Sequence, residues 1–595
     1  MTQRSRTIVL AAATLTLLLL AGTAAALYQS TVGLRVDRAP GEVVLVTQPE
    51  LEETAKGLVN KFLEGNPALV VSARVADPQA AVAEVAGGEA DLALLRKDAE
   101  YPGTSAGVYG PDRFFGPSRL FELSSQIAFY QHVVLAVPFL HPLQSLTSRQ
   151  AVALLDGENL AWADLGVDQP GTVAVRPLAA LTAPGTPTWV SPTEDLILAG
   201  SLHQVKMPLR PLEIDGIMPT RISIATGRYP LSLPVVLVRR DRQPNLLARV
   251  LEPYLVPNRD AVEDFGEWLG SQPARDVVYG KKQPSLTLAA VGDVMLARGV
   301  ASKIARYGLD YAFGNTGERL KRADIAFANL ESPFGTTGHP IPNKGIWFRA
   351  APESAKTLVE AGIDVVNLAN NHILDYDTPN FLETLKILEE NQVRYTGGGR
   401  NYAEAHRPAV IEKNGITVAF LGYSAFGDIF WTYSYPRSFS ATDNRPGVAT
   451  LGENHLEEIR RDIENARRLA DVVVVAFHWG DEYVEVPNEG QKRFGRWAID
   501  AGADIVLGSH PHAVQGLELY KGKLIAYSLG NFIMDQKREI TRRSMILELI
   551  LTRKGVQQVR VVPVRIQEHQ PQIQEGNPAY TLLERIRAIS EKIGP

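Results

Sequence analysis

The sequence predicts an α/β protein with two large blocks behind an N-terminal membrane segment. In both blocks, short apolar runs typical of buried strands alternate with the apolar spacing of helices. An uncharged stretch opens the chain, and a segment rich in Pro, Gly and Lys, SQPARDVVYGKKQPS, separates the blocks. The predicted domains are residues 1–34 (membrane anchor or signal segment), 40–275, 285–566 and 567–595 (a polar tail with a short amphipathic helix).

Composition excludes several classes of protein. The chain has 595 residues, more than one hydrophobic core usually serves, and no cysteine. Disulfide frameworks, thiolate zinc sites, cysteine nucleophiles and a lipoprotein anchor are therefore excluded. The net charge of −5 argues against a nucleic-acid partner, because such proteins usually carry a basic surface.

The N-terminus has the pattern of an export or anchor segment. Arg4 and Arg6 precede an uncharged stretch over residues 7–33, which exceeds the roughly 20 residues that span a bilayer. Basic residues in front keep that end cytoplasmic. An uncleaved anchor at the cell membrane, with the lipid bilayer as partner, is favoured over a cleaved signal peptide, for which TAAA offers a site. Either way, the rest of the chain is predicted to be exported, and to be secreted or periplasmic if the segment is cleaved.

The first block resembles the phosphate-binding type of periplasmic solute-binding protein. The resemblance lies in ADLALL, in VVLAVPFLHPLQSLTSRQAVALLDGENLAWADLG, and in RYPLSLPVVLV. It implies a periplasmic-binding-protein-like α/β domain with an oxyanion held on backbone N–H groups. The expected loops depart from that pattern: the first reads VTQPELEE, and in TAPGTPTWV, Thr186 and Thr188 could donate while two prolines remove N–H donors. Ligand binding and a structural or partner-docking role both stay open.

In the second block, polar residues follow five apolar runs that are typical of strands. Ligands in open α/β sheets bind beyond the carboxyl ends of strands, so these five ends can converge on one site. The residues there are Asp293; Asn329 and Glu331; Asn371 and His372, with Asp375 beyond; His478, with Glu482 beyond; and His510 and His512.

These side chains are the nitrogen and oxygen ligands of a metal site. They suit Mn²⁺, Fe, Zn²⁺ or Mg²⁺ rather than a soft metal. A lone histidine is more often a satisfied core or surface residue, but five such strand ends in one block favour a metal centre. His339, His406 and His455 are predicted to be solvated.

The motifs of the second block are similar to those of the CapA family, which is named for poly-γ-glutamate capsule synthesis. They occur in the family's order over residues 285–550 and read VGDVMLARG, ANLESPFG, LANNHILDYD, FHWGDEY, GSHPHAVQGLE and IAYSLGNFI. The resemblance implies a relative of the calcineurin-like metallophosphoesterases with a metallophosphoesterase-like αββα sandwich. It also implies a bridging role for Glu331 and, for His372, protonation of the leaving group.

The resemblance divides the ligands between two metals. Asp293, Glu331 and His512 would serve one metal, and Glu331, Asn371, His478 and His510 the other. The family pattern Asp-x-His has become Asp293-Val294-Met295, so one firm metal and one weak or absent metal are expected. A second departure is Asp377, where the family typically has glycine.

If the site is catalytic, a water activated by the metal attacks a phosphoryl or carbonyl centre while His372 assists the leaving group. Asn329, Asp375 and Glu482 are predicted to face the substrate. Lys344 and Arg349 could neutralise its charge, although a solvated surface role fits them equally well.

Three functions remain open from the sequence. The first is a membrane-anchored, metal-dependent hydrolase of capsular polymer synthesis. Its partners would be an anionic surface polymer or a phosphorylated or acyl substrate, and other capsule-synthesis membrane proteins. The second is a non-catalytic scaffold in which a metal orders a polymer-binding and export site. The third is an exported phosphatase coupled to phosphate binding by the first block.

Overall fold

The computed structural model describes residues 42–87, 89–96, 114–115, 121–167, 171–177, 196–202, 205, 209–242, 259–279, 283–429 and 438–593. Over these residues the chain is mixed α/β, in agreement with the predicted alternation of strands and helices.

The membrane segment in the predicted fold class has to be corrected. In the described part of the chain, no helix combines the length and the apolar character needed to cross a bilayer. The longest helix described has 16 residues, whereas a span takes about 20. Residues 1–34, for which the segment was predicted, lie outside the described residues. The fold class of the described residues is therefore mixed α/β, without a membrane segment.

The elements before residue 283 are mostly short. The strands are β1 (Glu42–Thr47), β2 (Val70–Val75), β3 (Leu92–Arg96), β4 (Phe114–Phe115), β5 (Phe121–His132), β6 (Val134–Pro138), β7 (Ser145–Leu146), β8 (Ala174–Pro177), β9 (Leu196–Gly200), β10 (Leu209–Pro211), β11 (Glu213–Ile214) and β12 (Ser232–Arg242). The helices are α1 (Glu52–Gly65), α2 (Pro78–Gly87), α3 (Ser148–Leu155), α4 (Arg221–Ala225), α5 (Arg259–Trp268) and α6 (Gln272–Tyr279).

The remaining elements carry the predicted site. The strands are β13 (Leu286–Val294), β14 (Ile325–Leu330), β15 (Val365–Asn367), β16 (Arg394–Thr396), β17 (Gly398–Gly399), β18 (Ala409–Lys413), β19 (Ile416–Ser424), β20 (Gly447–Val448), β21 (Val472–His478), β22 (Ile505–Ser509), β23 (Leu517–Tyr520), β24 (Lys523–Ala526), β25 (Asn531–Ile533), β26 (Arg543–Thr552), β27 (Gly555–Gln567) and β28 (Gln570–Ile573). The helices are α7 (Arg298–Tyr307), α8 (Asn315–Lys321), α9 (Ala355–Glu360), α10 (Asp377–Glu390), α11 (Tyr402–Ala405), α12 (Leu456–Leu469), α13 (Glu489–Asp500) and α14 (Gly576–Glu591).

The described residues form two compact units, and the first comprises those within Met1–Val134, Ser201–His203 and Glu213–Lys282. Its sheet has the order β2-β1-β3-β12-β5-β4, in which β1 runs parallel to β2 and β3. The polar side chain that follows β1 is hydrogen-bonded within the unit: Gln48 Oε1 accepts the main-chain N–H of Arg96 at 2.8 Å. The other predicted oxyanion loop, with Thr186 and Thr188, lies outside the described residues.

The second unit comprises the described residues within Leu135–Gly200, Gln204–Leu212 and Gln283–Pro595. It contains a four-stranded sheet, β10-β6-β9-β8, and two larger sheets. One of these has the order β16-β15-β14-β13-β26-β27-β28, with β25 paired to β13, and the other has the order β18-β19-β21-β22-β24-β23. The domain boundaries drawn from the sequence stay a prediction.

The two larger sheets pack face to face because their strands are apolar on both faces. One face of most of these strands enters a shared core, where the rings of Phe327 and Phe420 stack with centroids 5.9 Å apart. Alternate residues point outwards, since side chains alternate along a strand. Helices α7 to α10 cover the outer face of the first sheet, and α12 and α13 cover that of the second. The layers are therefore helix, sheet, sheet and helix.

Candidate metal centre

A row of polar side chains crosses the first large sheet where its parallel strands end. Asp293 on β13 lies in register with Asn329 on β14, and Asn329 with Asn367 on β15. Hydrogen bonds link the row: the Asn329 amide donates to Asp293 Oδ1 at 2.8 Å, and the Asn367 amide donates to Asn329 Oδ1 at 3.0 Å. All three side chains are buried, so each has one fixed orientation. Glu331 follows directly after β14 and is fully buried.

The second sheet brings three histidines to the same place. His478 ends β21 in register with Ser509 at the end of β22. His510 and His512 follow β22 with φ values of 97° and 54°. Two left-handed residues make a tight turn, and such conformations persist in non-glycine residues mainly at functional sites.

Two groups of potential metal ligands result, and they share Glu331. One group is Glu331, His478 and His510; the other is Asp293, Glu331 and His512. Within each group the ligand atoms lie within 4.8 Å of one another, and every member is buried. Asn371 joins the first group, because its Oδ1 atom lies 2.9 Å from His478 Nε2.

These side chains fit a divalent cation. Among the described residues, neither Glu331 carboxylate oxygen has a hydrogen-bond partner, and the same is true of His510 Nδ1. A buried carboxylate without partners is costly unless a positive charge compensates it. Carboxylate, imidazole and amide groups are also the donors that Mn²⁺, Zn²⁺ and Fe accept.

The electrostatics of the cluster agree with this fit. Burial and the nearby Asp293 carboxylate raise the pKa of Glu331 well above its usual value. Burial opposes the charged form of His512, but the Glu331 and Asp293 carboxylates outweigh it and raise the pKa of His512 to about 9. The charge of two carboxylates in one buried site thus has to be compensated, by a proton on Glu331 or His512 or by a metal cation.

His478 and His510 are suited to ligation because they are neutral. Burial, together with the neighbouring histidines, lowers the pKa of both imidazoles well below the usual value. His478 Nδ1 lies 2.9 Å from the Ser509 hydroxyl, which leaves Nε2 to face Glu331 Oε1 at 3.7 Å. An outer partner on one imidazole nitrogen orients the other nitrogen towards a metal.

His372 lies beside this cluster and is held from two sides. Its Nδ1 atom is 2.7 Å from Asp375 Oδ2, and its ring stacks on Phe348 with centroids 4.0 Å apart. Burial lowers the pKa of His372, and Asp375 partly counters that effect. The His372 side chain therefore has a fixed orientation and a nearby carboxylate, as an acid–base group requires.

The residues predicted to face the substrate occupy different environments. Asn329 and Asp375 are buried, and their polar atoms are bonded within the protein. Lys344 is also buried, with a side chain that is 3% exposed and an ammonium group that pairs with Asp375, so the surface alternative fails for it. Arg349 is half-buried over the Tyr376 ring at 3.9 Å. Glu482 is exposed.

Sequence reasoning missed several neighbours of the cluster. Phe348 and Phe426 carry no chemical signal in a sequence, although the Phe426 ring lies 4.1 Å from that of His510. Ser509 and Asn531 lie in the motifs GSHPHAVQGLE and IAYSLGNFI, but only the register of the sheets pairs them with His478 and Asp293.

The prediction that three other histidines are solvated holds only in part. His339 is exposed. The prediction is wrong for His406, which is buried and lies 2.7 Å from Asp462. His455 is half-buried between Asp428 and Glu458.

Comparisons with known proteins agree with the motifs. The family "Bacterial capsule synthesis protein PGA_cap" matches residues 287–536. The Capsule biosynthesis protein CapA of Bacillus anthracis is 34% identical over 308 residues, which are 51% of this chain and 73% of the relative. The PGA biosynthesis protein CapA of Bacillus subtilis is 33% identical over 288 residues, which are 48% of this chain and 73% of the relative.

Solved structures match this chain at low similarity. An ABC-type phosphate transport receptor from Vibrio cholerae is 16% identical, with a TM-score of 0.29, and the match covers 41% of this chain and 100% of the receptor. The resemblance of the first block to phosphate-binding proteins stays a prediction. The family match covers residues 287–536 in the second block, and two relatives above 30% identity are each covered over 73% of their length. The chain belongs to the CapA family of bacterial capsule synthesis proteins.

Proposed function

We propose that this chain is a metal-dependent, phosphoesterase-like hydrolase that acts in the synthesis of a capsular polymer at the cell envelope. The observation that carries the proposal is the pair of ligand groups that share Glu331, whose carboxylate oxygens have no hydrogen-bond partner in the described part of the chain. Family membership supports a role in capsule or polyglutamate synthesis. The anionic polymer, or a phosphorylated or acyl precursor of it, is the proposed substrate class.

The ligand assignment follows the two groups. Asp293, Glu331 and His512 would hold one cation, and Glu331, Asn371, His478 and His510 the other. A divalent cation supplies Lewis acidity towards a phosphoryl or carbonyl oxygen, and it lowers the pKa of water.

The chain's own residues would supply orientation and proton transfer. With Nδ1 of His372 hydrogen-bonded to Asp375, Nε2 is the atom left to exchange a proton with a leaving oxygen. Phe348 stacks on the imidazole ring and restricts its rotation. Lys344 holds the Asp375 carboxylate through a buried ion pair.

A non-catalytic scaffold is the second candidate. Met295 stands where the resemblance leads one to expect a histidine ligand, and it packs in the apolar core instead. A weakened second site would still let one cation order a surface that binds a polyanion. This candidate predicts metal binding without turnover.

Metal analysis paired with an activity screen tests both candidates. The purified full chain would be stripped with chelator, dialysed against Mn²⁺, Zn²⁺ or Mg²⁺, and assayed on p-nitrophenyl phosphate and acetyl phosphate. Bound metal with turnover supports the hydrolase, and bound metal without turnover favours the scaffold. A chain that binds no cation at micromolar concentration contradicts both. The exposed His339→Ala variant serves as a control that should behave as the wild type.

A further inference from the structure

We propose that Asn531 is an additional ligand of the cation held by Asp293, Glu331 and His512, and that it supplies the donor which Met295 cannot. The inference rests on the metal centre of the proposed function. Asn531 opens β25, which pairs in parallel with β13, and the two strands are in register at Asp293 and Asn531. Both side chains are fully buried.

The orientation of the Asn531 amide is fixed by its neighbours. Its Nδ2 atom donates to the main-chain carbonyl of Thr541 at 3.1 Å and to Gln536 Oε1 at 3.0 Å. A main-chain carbonyl can only accept a hydrogen bond, so the nitrogen must face Thr541. The carbonyl oxygen, Oδ1, is therefore the atom turned towards His512, and it lies 2.9 Å from His512 Nδ1.

Two of the three distances from His512 Nδ1 to the surrounding oxygen atoms match the spacing of neighbouring ligands around one cation. His512 Nδ1 lies 2.9 Å from Asn531 Oδ1, 3.2 Å from Asp293 Oδ2 and 3.9 Å from Glu331 Oε2. Ligand atoms at right angles, each about 2.1 Å from a cation, lie about 3 Å apart. Asp293 Oδ1 is taken by the Asn329 amide, so Oδ2 is the oxygen that remains for the cation.

The chemistry of the donors also fits. Asn531 adds a neutral oxygen to two carboxylates and one imidazole, a set that hard or borderline cations such as Mn²⁺ accept. The absence of a histidine at position 295 then does not leave the site of Asp293, Glu331 and His512 without a fourth donor. The amide oxygen of Asn531, on another strand, takes the place of the histidine nitrogen.

Calorimetric titration of the full chain with Mn²⁺ alone tests the inference. The wild type should bind two cations, and Asn531→Ala should weaken one site at least 10-fold while the site of His478 and His510 keeps its affinity. Asn531→Asp, which retains the oxygen, should keep both sites. Two wild-type affinities in Asn531→Ala would overturn the inference and leave the proposed function standing. A wild type that binds only one cation would also overturn the inference, and a wild type that binds none would overturn both.

A crystal structure of the wild-type chain grown with Mn²⁺ gives a second test that does not depend on how the variant folds. Coordination places Asn531 Oδ1 about 2.2 Å from the cation. A cation held by Asp293, Glu331 and His512 but more than about 3 Å from Oδ1 would reduce Asn531 to a hydrogen-bond partner of His512, contrary to the inference.

Discussion

Asp375 and His372 form a buried pair in which the carboxylate oxygen Oδ2 lies 2.7 Å from the imidazole nitrogen Nδ1. The same oxygen accepts the main-chain N–H of Phe348 at 2.6 Å, so it is held from two sides. An ionised carboxylate in this position accepts a hydrogen bond from Nδ1. It therefore selects the neutral imidazole tautomer that carries its proton on Nδ1, and Nε2 faces away from Asp375. The pair lies next to Asn371 and so links the acid–base group to the ligand cluster.

Removal of the His372 imidazole should separate chemistry from metal binding. His372→Ala should lower kcat by roughly 10²–10⁴-fold, the usual contribution of a general acid, while metal content stays at the wild-type level. Asp375→Asn should also lower kcat, because an amide does not enforce the same tautomer. Turnover and bound metal would be measured on the same samples. A His372→Ala variant with wild-type turnover would contradict the assigned role.

The Lys344–Asp375 ion pair should be strongly coupled, because both side chains are buried. Lys344 also donates to the main-chain carbonyl of Asn371. Lys344→Met leaves the Asp375 charge uncompensated, and breaking a buried pair typically costs about 3–5 kcal/mol. Denaturant unfolding of Lys344→Met, Asp375→Asn and the double variant would give the coupling. We expect the double variant to lose less than the sum of the single variants, whereas additive losses would mean that the two groups do not interact.

The ligand assignment predicts a graded effect on metal affinity around His478. Loss of an outer partner typically weakens metal binding by roughly 10–100-fold, which is the expectation for Ser509→Ala. His478→Ala should weaken it further, because a ligand atom itself is removed. His406→Ala is a suitable control, since this histidine is also buried but pairs with Asp462. Unchanged metal content in His478→Ala would remove His478 from the ligand set.

The strand-end pattern of the sequence was the informative feature of the site. Each of five apolar runs ends in ligand-type residues, and the register of the sheets brings those ends together. Asp377 was visible as a departure from glycine, and its φ of 63° explains why glycine is typical there.

Other features depend on tertiary contacts that a single sequence does not encode locally. Lys344 lies in a segment rich in Pro, Asn and Gly, a composition typical of surface loops. Its side chain is nevertheless buried, because its ammonium group forms an ion pair with the buried Asp375 carboxylate. Asn531 sits on a three-residue strand nearly 240 positions beyond Asp293, and only the sheet register places the two side by side. The burial of His406 likewise depends on Asp462, which lies on a distant helix.

Phe139 offers a test of the boundary between the two blocks. The sequence assigns it to the first block, but Phe139 is fully buried in the same core cluster as Leu583 and Ile586 of α14. Phe139→Ala should cost about 3–5 kcal/mol, and the unfolding transition of the metal-binding unit should move to lower denaturant concentration. Val152→Ala, at a position that is 48% exposed, is the matched control. If the transition of the metal-binding unit does not move, the sequence-derived boundary at residues 275–285 would stand.

His141 should make the stability of the second unit depend on pH. Burial, with a smaller contribution from Arg210, lowers the pKa of His141 to about 3, compared with 6.5 for the exposed imidazole. As the pH falls below 6.5, His141 of the unfolded chain therefore binds a proton, whereas His141 of the folded chain stays neutral until about pH 3. The contribution of neutral His141 to the free energy of unfolding is fully present above pH 6.5 and is lost towards pH 3. The limiting slope of the free energy of unfolding from this group is about 1.4 kcal/mol per pH unit.

His141→Asn isolates this contribution, because its Oδ1 atom can accept the Leu143 N–H that His141 Nδ1 accepts at 3.1 Å. Urea unfolding of the wild type and the variant at pH 7.5, 6.5, 5.5 and 4.5 would measure both slopes. Carboxylates contribute equally to the two proteins, so the difference between them reports the imidazole alone. The variant should lose less stability on acidification, and parallel curves would show that folded His141 takes up its proton as readily as the unfolded chain does.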